Sequence, residues 1–91
     1  MRFEWDERKD AANLARHGIS FADAVAVFDG PVLRRRDDRR DYGEDRFIAC
    51  GVAAGRILVV VHTVRGEERV RIIPARRAKG REREAHRRLH P

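Results

Sequence analysis

The sequence predicts an α+β fold, with two N-terminal helices, an antiparallel β-sheet of three to four strands and a C-terminal helix. Three observations support this prediction. Apolar residues recur at helical spacing in the first third of the chain. The middle contains three apolar or alternating segments joined by short turns, which is typical of an antiparallel meander. From Arg76 onward the chain is mostly charged, with a thin apolar stripe at helical spacing.

Two helices are predicted at the N-terminal end. Asp6 is a suitable N-cap, because its carboxylate can accept hydrogen bonds from the free amides of a first helical turn. The first helix is expected from about Glu7 to Arg16, and Gly18 is expected to end it. Ser20 begins the second helix, which Asp29-Gly30-Pro31 closes because glycine and proline interrupt helices.

The strands are predicted from alternation and from apolar runs. The alternation of Arg2 to Trp5 fits a short edge strand, and Val32 can begin another. Residues 34–43 are expected to form an exposed, mobile loop, because so many mixed charges cannot be buried. Three consecutive strands are then predicted at Arg46–Ala53, Ile57–Val64 and Glu68–Ala75. The second of them is apolar on both faces and should be central, whereas Pro74 should mark an edge or a break in the third.

Composition indicates a small, basic protein with one domain, residues 1–91. A chain of 91 residues buries only a modest core, so its function is expected on the surface or in a shallow cleft. The net charge is +6, but residues 1–45 carry 9 Arg and Lys against 11 Asp and Glu, whereas residues 46–91 carry 12 against 4. This asymmetry favours a polyanionic partner, although many arginine-rich proteins merely have well-solvated surfaces.

Several classes of protein are disfavoured by the sequence. Cys50 is the only cysteine, so an internal disulfide is excluded and a cysteine-based metal site is disfavoured. No pair of the four histidines has the spacing of a metal site. The N-terminus lacks an apolar signal segment, and the longest apolar run, Ile57 to Val61, is too short to cross a membrane. We therefore expect a cytoplasmic protein with no membrane contact.

The parity of the strands predicts an arginine-rich face. In the third strand of the meander Val70 and Ile72 point to one side, whereas Arg69, Arg71 and Ile73 point to the other. One face should pack on the helices and the other should present guanidinium groups. The residues expected to converge on one cleft there are Arg46, Arg65, Arg69, Arg71 and Arg76.

Such a cleft suits RNA cleavage, although arginines on a sheet occur in many proteins that cut nothing. A base must take the proton of the 2′-hydroxyl, cations must stabilise the phosphorane and an acid must protonate the 5′-oxygen. The candidates for the proton transfers are His62, Glu44, Glu68, His86 and Tyr42. Each has a structural alternative, and a position such as that of His62 more often holds a hydrogen-bonded histidine near a sheet end than a catalyst.

A set of short motifs runs in order along nearly the whole chain. They are Phe3-Glu4-Trp5-Asp6, Asn13-Leu14, His17-Gly18-Ile19-Ser20-Phe21, Ala24, Val27-Phe28-Asp29, Glu44-Asp45-Arg46-Phe47, Leu58-Val59-Val60-Val61, Thr63, Arg65, Arg69-Val70-Arg71-Ile72-Ile73, Ala75-Arg76-Arg77-Ala78 and Arg81-Glu82-Arg83. In this combination the chain resembles the BrnT-type toxins of bacterial type II toxin–antitoxin systems. The resemblance implies a RelE-like ribonuclease fold, RNA cleavage that inhibits translation, and no metal or organic cofactor.

The resemblance also implies partners. A cognate ribbon-helix-helix, BrnA-like antitoxin is expected to neutralise the toxin. Operator DNA is expected to be bound only through the toxin–antitoxin complex.

Four of the predicted site residues follow from the same resemblance. By position Glu44, Arg46, Arg65 and Arg76 match charged residues that recur in the family. Arg65 and Arg76 are predicted to hold the scissile phosphate, Arg46 to position it, and Glu44 to act as base or to orient Arg46. His62 is retained as a candidate for proton transfer. The further residues predicted to bind RNA are Arg69, Arg71, Arg77 and Arg81.

Three positions depart from the family pattern. The family usually has Tyr at position 62, Ser at position 74 and often Tyr at position 86, where this chain has His62, Pro74 and His86. Histidine can replace tyrosine in proton transfer, but the changes also fit a weakened toxin. Two alternatives to a nuclease therefore remain: a non-catalytic nucleic-acid-binding module, and a repressor partner whose basic half binds an antitoxin.

Overall fold

A five-stranded mixed sheet forms the centre of the molecule, in a computed structural model that describes residues 1–89. The elements in chain order are β1 (Arg2–Glu4), α1 (Glu7–His17), α2 (Phe21–Ala24), a 3₁₀ helix (Val25–Asp29), β2 (Leu33–Arg36), β3 (Arg46–Ala53), β4 (Arg56–Arg65), β5 (Arg69–Arg77) and α3 (Gly80–Leu89). The strand order is β1-β5-β4-β3-β2, so β4 is central as predicted.

The predicted fold class was wrong in its sheet and in its second helix. The sheet has five strands rather than three or four, and it is mixed because β1 pairs in parallel with β5. The second helix is a single α-helical turn that continues as a 3₁₀ helix. The β-branched side chains of Val25 and Val27 are poor helix formers, which fits the short turn.

Two more boundaries differ from the prediction. The segment expected to be an exposed loop begins with β2, which pairs with β3, and the next residue, Asp37, is buried. Charged side chains are acceptable on β2 because it is an edge strand with solvent beside it. At the other end, β5 extends to Arg77 and α3 begins only at Gly80, so Arg76 lies in the sheet rather than in the helix.

The caps of the first two helices were predicted correctly. Asp6 accepts a hydrogen bond from the amide of Arg8 at 2.8 Å, and Ser20 accepts one from the amide of Asp23 at 3.1 Å. Gly18 ends α1 in the left-handed conformation, with φ of 70°, and its amide donates to the Leu14 carbonyl.

Both faces of the sheet are apolar near their centres. On the first face α1, α2 and the 3₁₀ helix cover a core that includes Ile19, Phe21 and Val60. On the second face α3 covers a smaller cluster that includes Ile48, Cys50, Val59, Val61 and Ala78. The helix on this second face is short, and it leaves part of the face open.

The break predicted at Pro74 is present in β5. Ile72 pairs with His62 and Ala75 pairs with Val60, so two residues of β5 lie opposite one residue of β4. Asn13 of α1 serves the backbone beyond this bulge, because its side chain accepts the Ala75 amide at 3.1 Å and donates to the Ala75 carbonyl at 2.8 Å. The side chain of Asn13 thus takes the place of a neighbouring strand where β1 has ended.

Candidate active site

The open end of the second face carries a row of polar side chains across three strands. Arg46 of β3 lies opposite Thr63 of β4, which lies opposite Arg71 of β5. One step further along, Arg65 lies opposite Arg69, on either side of the β4–β5 turn. The alternation of a strand puts all of these residues on the same face, and the arginine-rich face predicted from parity is therefore present.

Glu44 joins two of these arginines. Its Oε2 accepts a hydrogen bond from Nε of Arg46 at 3.2 Å, and its Oε1 lies 3.7 Å from Nη2 of Arg65. The three side chains are 32%, 25% and 50% exposed, respectively, so solvent and a ligand can reach them. We call Glu44, Arg46 and Arg65 the Glu44 cluster.

The loop between β2 and β3 holds Arg46 in place. The Tyr42 ring lies below the guanidinium of Arg46, with 4.2 Å between Cζ and the ring centroid. The Tyr42 hydroxyl donates to the Asp37 carboxylate at 3.1 Å, and the Asp37 amide donates to the Arg46 carbonyl at 2.8 Å. Thr63 ties the end of the loop to β4, because its hydroxyl donates to the Asp45 carbonyl at 2.6 Å.

Asp37 is the buried anchor of this loop. Its side chain is 1% exposed and accepts hydrogen bonds from Nε and Nη2 of Arg39, both at 2.8 Å. These bonds hold the pKa of the Asp37 carboxyl well below its ordinary value. The side chains of Arg39 and Tyr42 cover this carboxylate and also satisfy its hydrogen bonds, so the Arg39 pair and the Tyr42 bond are requirements of the loop conformation.

Arg76 lies on the same face but outside the Glu44 cluster. It is seven residues beyond Arg69 along β5, which corresponds to roughly 20 Å at about 3.3 Å per residue. Its Nη1 and Nη2 donate to the two carboxylate oxygens of Glu82, both at 2.8 Å. Arg76 thereby fastens α3 to the sheet, and the predicted convergence of Arg46, Arg65 and Arg76 on one phosphate does not occur in this structure.

The remaining predicted RNA-binding residues divide between the two ends of the molecule. Arg69 is exposed at the β4–β5 turn, and Arg71 bonds Glu4 at 3.1 Å beside the Glu44 cluster. Arg77 and Arg81 are exposed at the α3 end instead. The structure therefore brings Arg69 and Arg71, but not Arg77 and Arg81, close to Arg46 and Arg65.

His62 faces the opposite side of the sheet. It is 1% exposed and lies between the rings of Phe28 and Phe47, at centroid distances of 5.0 and 5.9 Å. Its Nδ1 is 3.2 Å from the Val60 carbonyl, and burial lowers its pKa. The structure does not bring His62 to the Glu44 cluster. His86, the other atypical histidine, is 5% exposed, with Nε2 3.3 Å from the Pro31 carbonyl.

Sequence reasoning did not assign roles to Asp37 and Asn13. Asp37 stands within a run of mixed charges that reads as solvated, and its only local signal is Arg39 two residues later. Asn13 is a polar residue on a helix, and nothing in the sequence relates it to Ala75, 62 residues away. The partner of Asn13 depends on the tertiary fold, whereas the partners of the Asp37 side chain, Arg39 and Tyr42, lie two and five residues away and are brought to it by the loop conformation.

Residues 1–89 show no sign of a membrane-spanning helix or of a metal-binding cluster. None of the helices in this range has both the length and the apolar character needed to cross a bilayer. Within the same range no three His, Cys, Asp or Glu side chains group as metal ligands do. The prediction that no metal takes part stays a prediction.

Comparison with known proteins agrees with the resemblance seen in the motifs. A family model described as "Ribonuclease toxin, BrnT, of type II toxin-antitoxin system" matches residues 5–82. The crystal structure of the Brucella abortus ribonuclease toxin BrnT is similar, with a TM-score of 0.65 and 30% sequence identity over 87% of this chain and 97% of that one. A comparison with curated protein sequences found no match. The chain belongs to the BrnT family of ribonuclease toxins of type II toxin–antitoxin systems.

Proposed function

We propose that this toxin is a metal-independent endoribonuclease that inhibits translation by cleaving RNA at the Glu44 cluster. The family is one of ribonuclease toxins, which makes RNA the substrate class. The observation that carries the proposal is the carboxylate of Glu44 between two guanidinium groups on the open face of the sheet. A base beside two phosphate-binding cations is the minimal equipment for attack by the RNA's own 2′-hydroxyl.

In the proposed reaction the arginines bind the phosphate and Glu44 acts on the sugar. A guanidinium has five N–H donors, and Arg46 and Arg65 each direct only one nitrogen to Glu44, so both retain donors for phosphate oxygens. Glu44 removes the 2′-hydroxyl proton, and the 2′-oxygen forms a bond to phosphorus. The bond to the 5′-oxygen breaks, and that oxygen takes up a proton from water, while Glu44 returns its own proton to the solvent. The products are a 2′,3′-cyclic phosphate and a free 5′-hydroxyl.

The surroundings of the cluster support the binding of a polyanion. Arg69 and Arg71 lie on the same face beside Arg65 and Arg46, so the backbone of one RNA strand can meet several cations in succession. Binding is therefore expected to weaken as salt increases, since each neutralised phosphate releases counterions. Arg76, Arg77, Arg81 and His62 lie away from the cluster and have no part in this proposal, and the roles predicted for them stay predictions.

The partner in this proposal is a cognate antitoxin of the ribbon-helix-helix, BrnA-like type. A toxin of a type II pair has an antitoxin, and a basic molecule of this kind suits a partner with acidic segments. Operator DNA is then contacted through the complex. A cytoplasmic location follows from the proposed action on translation.

Incubation of a purified RNA with the toxin and excess chelator tests the proposal directly. The wild type is expected to cleave the RNA and leave 2′,3′-cyclic phosphate ends, detectable by mass spectrometry. Glu44→Gln and Arg65→Ala should each reduce cleavage by about 10²-fold or more, in line with the usual contribution of a general base or an oxyanion-binding group. Arg16→Ala, at the exposed end of α1, is the matched control and should cleave normally.

Two results would contradict the proposal. RNA that is bound but left intact would favour a non-catalytic binding module, and cleavage that stops with chelator would exclude metal independence. A cell-free translation reaction tests the biological effect, because Glu44→Gln should permit synthesis that the wild type suppresses.

A further inference from the structure

A cleft lies between α3 and the edge of the sheet, on the second face but away from the Glu44 cluster. It has a volume of about 200 Å³, and we call it the α3 cleft. It is lined by Leu33, Arg35, Ile48, Cys50, Arg81, Glu82 and Ala85, and the carboxylate of Glu82 is already bound by Arg76. The floor is apolar, and arginines from β2 and α3 stand at its rim.

The two rim arginines have no anionic partner among residues 1–89. Arg35 and Arg81 are both exposed, and neither takes part in a salt bridge, in contrast to Arg36, which pairs with Asp38 and Asp45. Two unpaired cations beside an apolar floor favour a ligand that combines negative charge with at least one apolar group.

The strand beside the cleft is a free edge of the sheet. Within residues 1–89, β2 is last in the strand order and pairs only with β3. The Asp37 amide bonds the Arg46 carbonyl opposite it. Because inward and outward groups alternate along an antiparallel strand, the backbone N–H and C=O of Arg34 and Arg36 point outward, away from β3. An added strand would find donors and acceptors there.

From these observations we propose that an acidic, extended segment of the antitoxin adds to β2 as a sixth strand and inserts an apolar side chain into the α3 cleft. Carboxylates on that segment would meet Arg35 and Arg81. The partner's identity as an antitoxin rests on the proposed function, whereas the chemistry of the surface does not. A protein segment fits better than RNA, because the floor is aliphatic, no aromatic ring in the described part of the chain lines the cleft for base stacking, and the free edge offers backbone pairing.

A synthetic peptide is the probe for this surface. Acetyl-Thr-Glu-Thr-Leu-Thr-Glu-Thr-amide, whose two glutamates and central leucine share one face of an extended strand, is labelled with a fluorophore, titrated with the full-length toxin and followed by anisotropy. Arg35→Glu and Arg81→Glu are each expected to weaken binding by about tenfold or more, since each places a carboxylate beside the bound carboxylates. Arg87→Glu, an exposed change on α3 outside the cleft, is the matched control and should bind as the wild type does.

Backbone pairing is tested by altering the peptide and by hydrogen exchange. Two versions of the peptide are made, one methylated at its odd-numbered nitrogens and one at its even-numbered nitrogens. The version whose methyl groups point towards β2 should not bind, whereas the other should still bind. The unmodified peptide should slow hydrogen exchange of the Arg34 and Arg36 amides. The proposal would be overturned by any of three results: no binding of the acidic peptide at about 1 mM, equal binding of the two methylated peptides, or unchanged affinity in Arg35→Glu.

The same variants separate this proposal from the proposed function. If a short RNA loses as much affinity as the peptide on Arg35→Glu, the cleft is an RNA site and the docking proposal fails. If the wild type lacks nuclease activity but the peptide results hold, the proposed function fails and the docking surface stands.

Discussion

Replacement of Glu82 by glutamine should loosen α3 from the sheet in a way that depends on pH. The carboxylate accepts both terminal nitrogens of Arg76 at 2.8 Å and the amide of Lys79 at 2.7 Å. The hydrogen bonds from Arg76 are the main reason that the pKa of Glu82 is lowered from 4.5 to about 2. The folded protein therefore favours the charged carboxylate.

The magnitude follows from the pKa shift and from the exposure of the pair. A shift of one pKa unit corresponds to about 1.4 kcal/mol, but the side chains of Arg76 and Glu82 are 35% and 26% exposed, so water screens part of the interaction. We expect Glu82→Gln to cost about 1–2 kcal/mol at neutral pH. For a domain of this size that corresponds to a decrease in Tm of about 4–16 °C.

The pH dependence has a definite sign. Because the unfolded chain protonates Glu82 first, the stabilisation is fully present above pH 4.5 and is lost as the pH falls towards about 2. Thermal unfolding followed by circular dichroism should show a gap between wild type and variant at neutral pH that closes over this window. Glu84→Gln is the control, since Glu84 is 54% exposed and pairs only with exposed arginines. A gap that stays constant with pH, or a control that loses as much stability, would refute the reasoning.

Three further substitutions test the interior. Asn13→Ala should lower the free energy of unfolding by about 3–5 kcal/mol, because the buried amide and carbonyl of Ala75 both lose their hydrogen-bond partner. A loss below about 1 kcal/mol in a urea titration would contradict this. Gly51→Ala should cost about 1–3 kcal/mol, since its Cβ would lie 2.8 Å from Val27 Cγ1, and adding Val27→Ala should restore part of the loss. Burial lowers the pKa of His62, so the unfolded state binds the proton first and the wild type should lose stability as the pH falls below 6.5. In His62→Phe this loss should be smaller. Equal stabilities of the wild type in urea titrations at about pH 7.5 and about pH 5 would argue against this prediction.

Several structural features that depend on residues close together in the sequence were predicted correctly. Helix caps such as Asp6 and Ser20 act on amides two or three residues away, so they are visible in sequence and were predicted correctly. The alternation of β5 likewise placed Arg69 and Arg71 opposite to Val70. The parallel pairing of β1 was missed because its partner lies 67 residues away along the chain, and no local period specifies such a partner.

The candidate site was predicted only in part, for a related reason. Charge and strand parity indicate which face of the sheet an arginine occupies, and these two signals were sufficient to place Arg46 and Arg65 on the same face. The partner of each side chain depends on tertiary structure, however, and Arg76 is held by Glu82 from a helix whose start had been placed too early. Asp37 was misread because a carboxylate that is buried by its own neighbours looks the same in sequence as one in solvent.

The pairing of β1 with β5 imposes an order on biosynthesis. Arg2 lies beside Arg69, so β1 leaves the ribosome long before β5 and has no neighbouring strand until β5 has been made. The β3–β4 hairpin with Glu44, Arg46 and Arg65 needs only local contacts and can form earlier. Synthesis that terminates between residues 65 and 69 would thus release these three residues on a fragment that lacks β5 and therefore cannot complete the sheet. Premature termination should yield aggregation-prone pieces rather than shorter toxins.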